Sequence, residues 1–131
     1  MRATARREGE AFQHDIAIRS HHVQADEPED NGGEDTGPSP QELLAASLAS
    51  CTAITIEMYA KRKGWTIGDV SVDVNYEPAH RGSPTRFEMS VRLPKELPEE
   101  QRQRLMQIAA KCPVHRTLEG EVMFEETLEA V

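Results

Sequence analysis

Thiols, positive charge and long unbroken apolar runs are all scarce in this chain, and each scarcity excludes something. Only two cysteines occur in 131 residues, Cys51 and Cys112. Two thiols far apart in sequence are either a minimal redox pair or two unrelated core residues, because free cysteine is among the most buried residue types. Basic residues number 15 against 23 acidic ones, a formal charge of −8. That balance argues against nucleic acid or an anionic membrane surface as a partner, since both select positive patches. No run approaches the roughly 20 apolar residues of a membrane span, and Met1 to Glu8 lacks the apolar stretch of a secretory signal. The expectation is a cytoplasmic protein, in which any disulfide is transient or catalytic rather than structural. The length predicts a single domain, residues 1–131, that buries its own core. No internal repeat or low-complexity segment is present.

The pattern along the chain is that of an α+β protein. Residues 10–25, with Phe12, Ile16, Ile18 and Val23 as apolar anchors, read as a strand or hairpin. Residues 26–38 are acidic and rich in Pro and Gly, hence a loop. A long helix is expected from Ser39 to about Lys63. Ser39 is its N-cap, Pro40 fits the first position, Glu42 completes a capping box, and Gly64 ends it after three basic residues. Between Leu43 and Ala60 this helix is apolar or small on nearly every side, which predicts burial all round, in the core or at an oligomer interface. Cys51 falls near its middle. Val70, Val72 and Val74 alternate with polar residues, as do Phe87, Met89, Val91 and Leu93, giving two antiparallel strands. Pro98 opens a second helix with Leu105, Ile108, Ala109 and Cys112 at helical spacing, and Pro113 ends or kinks it. His115 to Leu118 is expected as a short turn, and Val122, Phe124, Thr127 and Leu128 suggest a last strand.

Two local patterns go further. The segment Gly37 to Ala53, carrying Pro38, Pro40, Leu43-Leu44-Ala45-Ala46 and Ser50-Cys51-Thr52, resembles the first-cysteine segment of the OsmC/Ohr family. Lys111-Cys112-Pro113-Val114-His115 resembles its second-cysteine motif, and His22 followed by Ala25-Asp26-Glu27-Pro28 and Gly32-Gly33 is similar to the OsmC-like branch. The resemblance spans roughly residues 10–130. It implies an OsmC-like fold, antiparallel sheets wrapped around a long central buried helix, assembled as an intertwined homodimer. It also implies a thiol peroxidase acting on organic hydroperoxides, with Cys51 peroxidatic, Cys112 resolving and an external dithiol, often a lipoyl group, as reductant. No cofactor is implied.

The family activates its first thiol with an arginine held by a glutamate just after the helix-opening proline. Here that position is Gln41, and the carboxylate comes one residue later, at Glu42. A one-residue step rotates a helical side chain by about 100°, so Glu42 reads as a capping residue. Arg6 and Arg7 are the N-terminal arginines, and His115 and Arg116 are further cations beside Cys112. His22 lines the pocket by resemblance. A metal is not expected: Cys112-x-x-His115, even with His21, His22 or Asp26, is one pair where structural zinc uses four Cys/His ligands. The acidic 26–35 loop lacks the alternating ligands of a calcium loop. Tyr59 and Trp65 read as core or interface anchors. The alternative to an enzyme is a non-catalytic protein holding a hydrophobic small molecule in an interface pocket.

Overall fold

The computed structural model describes residues 1–131. They group into two compact units, Met1–Ala46 and Ser47–Val131, and the boundary between them falls inside one helix. In the first unit β1 (Thr4–Arg7), β2 (His14–Ile18) and β3 (His21–Ala25) form an antiparallel sheet in that order. The hairpin lies within the segment expected to hold one. β1 was not anticipated, because its Thr-Ala-Arg-Arg sequence offers no apolar alternation. Ala5 pairs with Ile16 and Ile16 with Val23, so period-two geometry puts these on one face with His14 and Ala25. Arg6, Asp15, His22 and Gln24 share the other face.

The acidic 26–38 loop is organised from within. Asp26 is buried and accepts from the backbone N–H groups of Glu27 (2.7 Å), Glu34 (3.2 Å) and Thr36 (3.1 Å) and from the Thr36 hydroxyl (2.9 Å). Gly33 permits this closure, since a Cβ there would stand 1.9 Å from the Glu27 carbonyl oxygen.

α1 (Pro40–Lys63) begins as the sequence predicts. The Ser39 N–H donates to Glu42 Oε1 at 2.9 Å and the Glu42 N–H to Ser39 Oγ at 3.2 Å, a reciprocal capping box. It ends in a Schellman turn: Gly64, at φ +72°, donates to the Lys61 carbonyl and Trp65 to that of Ala60. Burial all round does not hold within one chain. Leu48, Thr52, Ile56, Tyr59 and Ala60 make one buried stripe, while Ile54 and Met58 are 53% and 57% exposed. Small and apolar residues occur all round α1, but only the stripe at helical spacing is buried by this chain. The expectation on membrane spans is also corrected: at 24 residues α1 is long and apolar enough to cross a bilayer by length and composition. Three of its buried residues, Ile56, Tyr59 and Ala60, pack into a core.

That core, in the second unit, joins Ile56, Tyr59 and Ala60 to Ile67, Leu105, Ile108 and Ala109. β4 (Ser71–Glu77) and β5 (Arg86–Arg92) pair antiparallel with Val72 opposite Val91 and Val74 opposite Met89. α2 (Glu99–Ala109) starts after Pro98 and stops before Cys112. Cys112 instead caps a separate helix, α3 (Pro113–Glu119). Pro113 therefore opens a helix rather than closing one, as its fixed φ and missing N–H suit a first helical position. The expected turn at 115–118 is part of α3. The expected last strand is absent: residues 121–131 are exposed and pair with no strand of this chain.

Candidate redox site

α3 decides the geometry around the two cysteines. Its first residue, Pro113, has no N–H, so the next two amides are the free donors of its N-terminus. Both go to sulfur. The Val114 N–H bonds to Cys51, and the His115 N–H donates to Cys112 Sγ at 3.2 Å. The thiols, both reduced, are themselves in hydrogen-bond contact. Cys112 is fully buried and Cys51 half-buried. Thr52 and Thr55 on α1 complete the surroundings: the Thr52 hydroxyl donates to Cys112 Sγ at 3.7 Å, and the Thr55 hydroxyl bonds to Cys51.

Burial pushes the Cys51 thiol above its ordinary range. The Val114 N–H pulls it down, Cys112 adds to the rise, and the Thr55 hydroxyl opposes it without reversing it. No cation is among these influences. The basic residue next in sequence to these donors is His115, which directly follows Val114. Its Nε2 pairs with Glu119 one turn on, while its Nδ1 is buried with no hydrogen-bond partner. If the carboxylate holds the Nε2 proton, Nδ1 is left as a bare base.

None of the other sequence candidates is hydrogen-bonded to either sulfur. Glu42 is committed to the cap, and its hydrogen bonds from Ser39 hold it below the usual carboxylate range. Gln41 is exposed in the first turn of α1 and Arg116 is exposed in α3. Arg6 and Arg7 are exposed on β1, Arg7 donating to the Gly9 carbonyl at 3.3 Å. His22 is ion-paired to Asp15 at 3.0 Å and largely exposed. It lies on the sheet face opposite an apolar groove of about 730 Å³ in the first unit, which His14, Phe12 and Ile16 line instead. No group of His, Cys, Asp and Glu side chains is placed to hold a metal ion. Sequence reasoning missed Thr52, Thr55 and Val114. The signal was available: a hydroxyl follows Cys51 at once and another recurs one turn later, and a Cys-Pro pair is a cap followed by a first helical position.

Two reduced cysteines packed together between a long helix and the start of a short one, in an α+β chain with antiparallel sheets, define a dithiol protein. The chain belongs to the OsmC-like protein family, whose model matches residues 32–127. Among solved structures it is similar to an OsmC-like protein from Mycoplasma pneumoniae, at TM-score 0.76 and 20% identity over 91% of this chain and 86% of that one. It also resembles the organic hydroperoxide resistance protein OsmC from Legionella pneumophila (TM-score 0.61, 21% identity, 92% and 90% covered). A third similar structure is the organic hydroperoxide resistance protein OhrB of Bacillus subtilis (TM-score 0.60, 21% identity, 92% of both chains). These likenesses establish the OsmC-like fold. A search of curated proteins finds no match.

Proposed function

We propose that this chain is a cytoplasmic, homodimeric thiol peroxidase of one domain that reduces organic hydroperoxides through Cys51 and Cys112. The observation that carries the reading is the contact of the two thiols with each other and with the two free amides of α3. Similar structures named for organic hydroperoxide resistance support the substrate class.

The Cys51 thiolate attacks the distal peroxide oxygen. An S–O bond forms, the O–O bond breaks, and the departing alkoxide takes a proton to leave as the alcohol. Cys51 is then a sulfenic acid. Cys112 attacks that sulfur, a disulfide forms, and the hydroxyl leaves as water. A dithiol, lipoyl-type or similar, returns both thiols by exchange and is itself oxidised to a disulfide. Helix-terminal N–H groups favour negative charge on the sulfurs they face. They offset part of the burial that keeps Cys51 protonated, and His115 Nδ1 is the base this chain offers in place of the family's arginine–glutamate pair. Exposed Ile54 and Met58 on α1, with Val122, Phe124 and Leu128 beyond α3, support a second copy as the covering surface.

The test is intact mass and free-thiol count after one equivalent of cumene hydroperoxide is added to reduced protein. Loss of two hydrogens and both thiols within seconds is expected. Cys51→Ser should abolish consumption of peroxide, and Cys112→Ser should leave one turnover that stalls at sulfenic acid and over-oxidises. Survival of both thiols, or wild-type turnover in both variants, overturns the reading.

A further inference from the structure

Tyr59, two turns beyond Cys51 on α1, belongs to the core of the second unit, and it gathers three cations. The Arg104 guanidinium stands 5.5 Å from its ring centroid, the Lys63 ammonium 5.7 Å and the Arg62 guanidinium 6.0 Å. Arg62 and Lys63 come from the last turn of α1, Arg104 from α2. None of the three is ion-paired to a carboxylate. In a chain of formal charge −8 that concentration of unpaired positive charge is unexpected. Cations do suit a helix C-terminus, but Gly64 and Trp65 already satisfy two of the last carbonyls of α1, and Arg104 belongs to a different helix.

Lys63 and Arg104 border a hollow of about 550 Å³ lined also by Tyr59, Trp65 and glutamines, with Glu100 its only acid. The Schellman turn places Trp65 edge-on to Tyr59, centroids 5.7 Å apart. Arg104 Nε donates to the Tyr59 oxygen at 2.9 Å, so the phenol's own O–H is left without an acceptor in the chain. Arg104, and behind it Lys63 and Arg62, hold that phenol below its ordinary pKa against the effect of burial. Arg104 Nη1 is taken by Gln107 Oε1 at 2.9 Å, which leaves the acidified O–H, guanidinium Nη2 and the Lys63 ammonium beside two aromatic rings as a donor set without an acceptor in the chain.

We propose that this hollow binds a small organic oxyanion, a carboxylate or a phosphate monoester borne on a flat apolar body. Tyr59 O–H, Arg104 and Lys63 grip the anionic group, and the Tyr59 and Trp65 rings receive the body.

Trp65 is the only tryptophan, so its emission reads this hollow directly. Reduced full-length protein is titrated with benzoate, with phenyl phosphate and with neutral benzamide, at ionic strength held constant with chloride. A saturable change in emission with benzoate or phenyl phosphate and none with benzamide is expected, and which anion binds distinguishes carboxylate from phosphate. Arg104→Gln should weaken binding about tenfold, the loss of one charge-assisted contact. Tyr59→Phe should weaken it while keeping the ring. Lys63→Gln, an exposed position on the last turn of α1, decides the matter if the Arg104 variant does not fold. Response to neither anion, equal binding of benzamide, or unchanged affinity in the folded variants overturns the proposal.

Discussion

The hydroxyl of Thr52 donates to the sulfur of Cys112 across 3.7 Å, and Thr52 directly follows Cys51 in the chain. One turn of α1 thus supplies both a thiol and a donor to the thiol opposite it. Thr52 is fully buried, with Met89 Sδ as its other neighbour at 3.7 Å, so no water replaces the contact. Thr52→Val keeps the shape and removes the donor. Sulfur is a weak acceptor, so stability should change by less than about 1 kcal/mol. Reduction of the Cys51–Cys112 disulfide by dithiothreitol should slow several-fold, because a leaving thiolate that loses a hydrogen bond leaves more slowly. Stopped-flow measurement of released thiol checks this. An unchanged rate would show that Thr52 only fills space.

Cys51 itself predicts a pH dependence. Burial raises its thiol above the ordinary range, so the charged form is disfavoured and the thiolate fraction at neutral pH is smaller than that of a free cysteine. Alkylation of Cys51 by iodoacetamide, followed by peptide mass, should therefore reach half its limiting rate above the free-cysteine value of about 8.5. Peroxide-driven disulfide formation at pH 7 then needs a base, and His115 is the residue to test. His115→Gln leaves the backbone donor to Cys112 in place and removes Nδ1. The expected rate falls about tenfold or more at pH 7 and converges on wild type at alkaline pH, where the thiolate forms unaided. A loss equal at every pH would mark a structural role, and no loss would remove His115 from the chemistry.

The parts of this fold written locally were legible in the sequence. The Ser39–Glu42 box, the Gly64 stop and the two alternating strands are each specified by neighbours a few residues apart. The errors have more than one cause, a neighbour given the wrong role or a residue whose meaning depends on distant partners. Cys112 sits at helical spacing from Ile108 and Ala109, yet Pro113 after it makes it the cap of a new helix. Val122, Phe124 and Leu128 have the composition of a strand, but a strand also needs a partner, and residues 121–131 pair with none in this chain. Ile54 and Met58 are as apolar as Leu48 and Ile56, and only the three-dimensional course of α2 and β5 decides which stripe is covered. At the candidate site the cysteines and His115 were readable by type and spacing. The α3 amides were marked only indirectly, by the Cys112-Pro113 pair that sets a cap and a first helical position.

The loop around Asp26 gives a prediction for acid. Burial alone would raise this carboxyl. The bonds from the Thr36 N–H, the Glu27 N–H, the Thr36 hydroxyl and the Glu34 N–H outweigh it, and the folded-state pKa is lowered. The unfolded chain therefore takes up the proton first. Stability contributed by the ionised group is full above the ordinary Asp value of about 3.9 and is lost as pH falls through the lower folded value. Asp26→Asn has one oxygen and an NH₂ where four donors converge, so an N–H must face an N–H or O–H. The variant should unfold at lower urea concentration than wild type at pH 7 and at pH 5. Below about pH 4 the gap should narrow, since a protonated Asp26 also presents a donor to that ring of donors. Coincident urea midpoints at pH 7, or a gap that persists unchanged at pH 3, would show that the ionised carboxylate does not hold the loop closed.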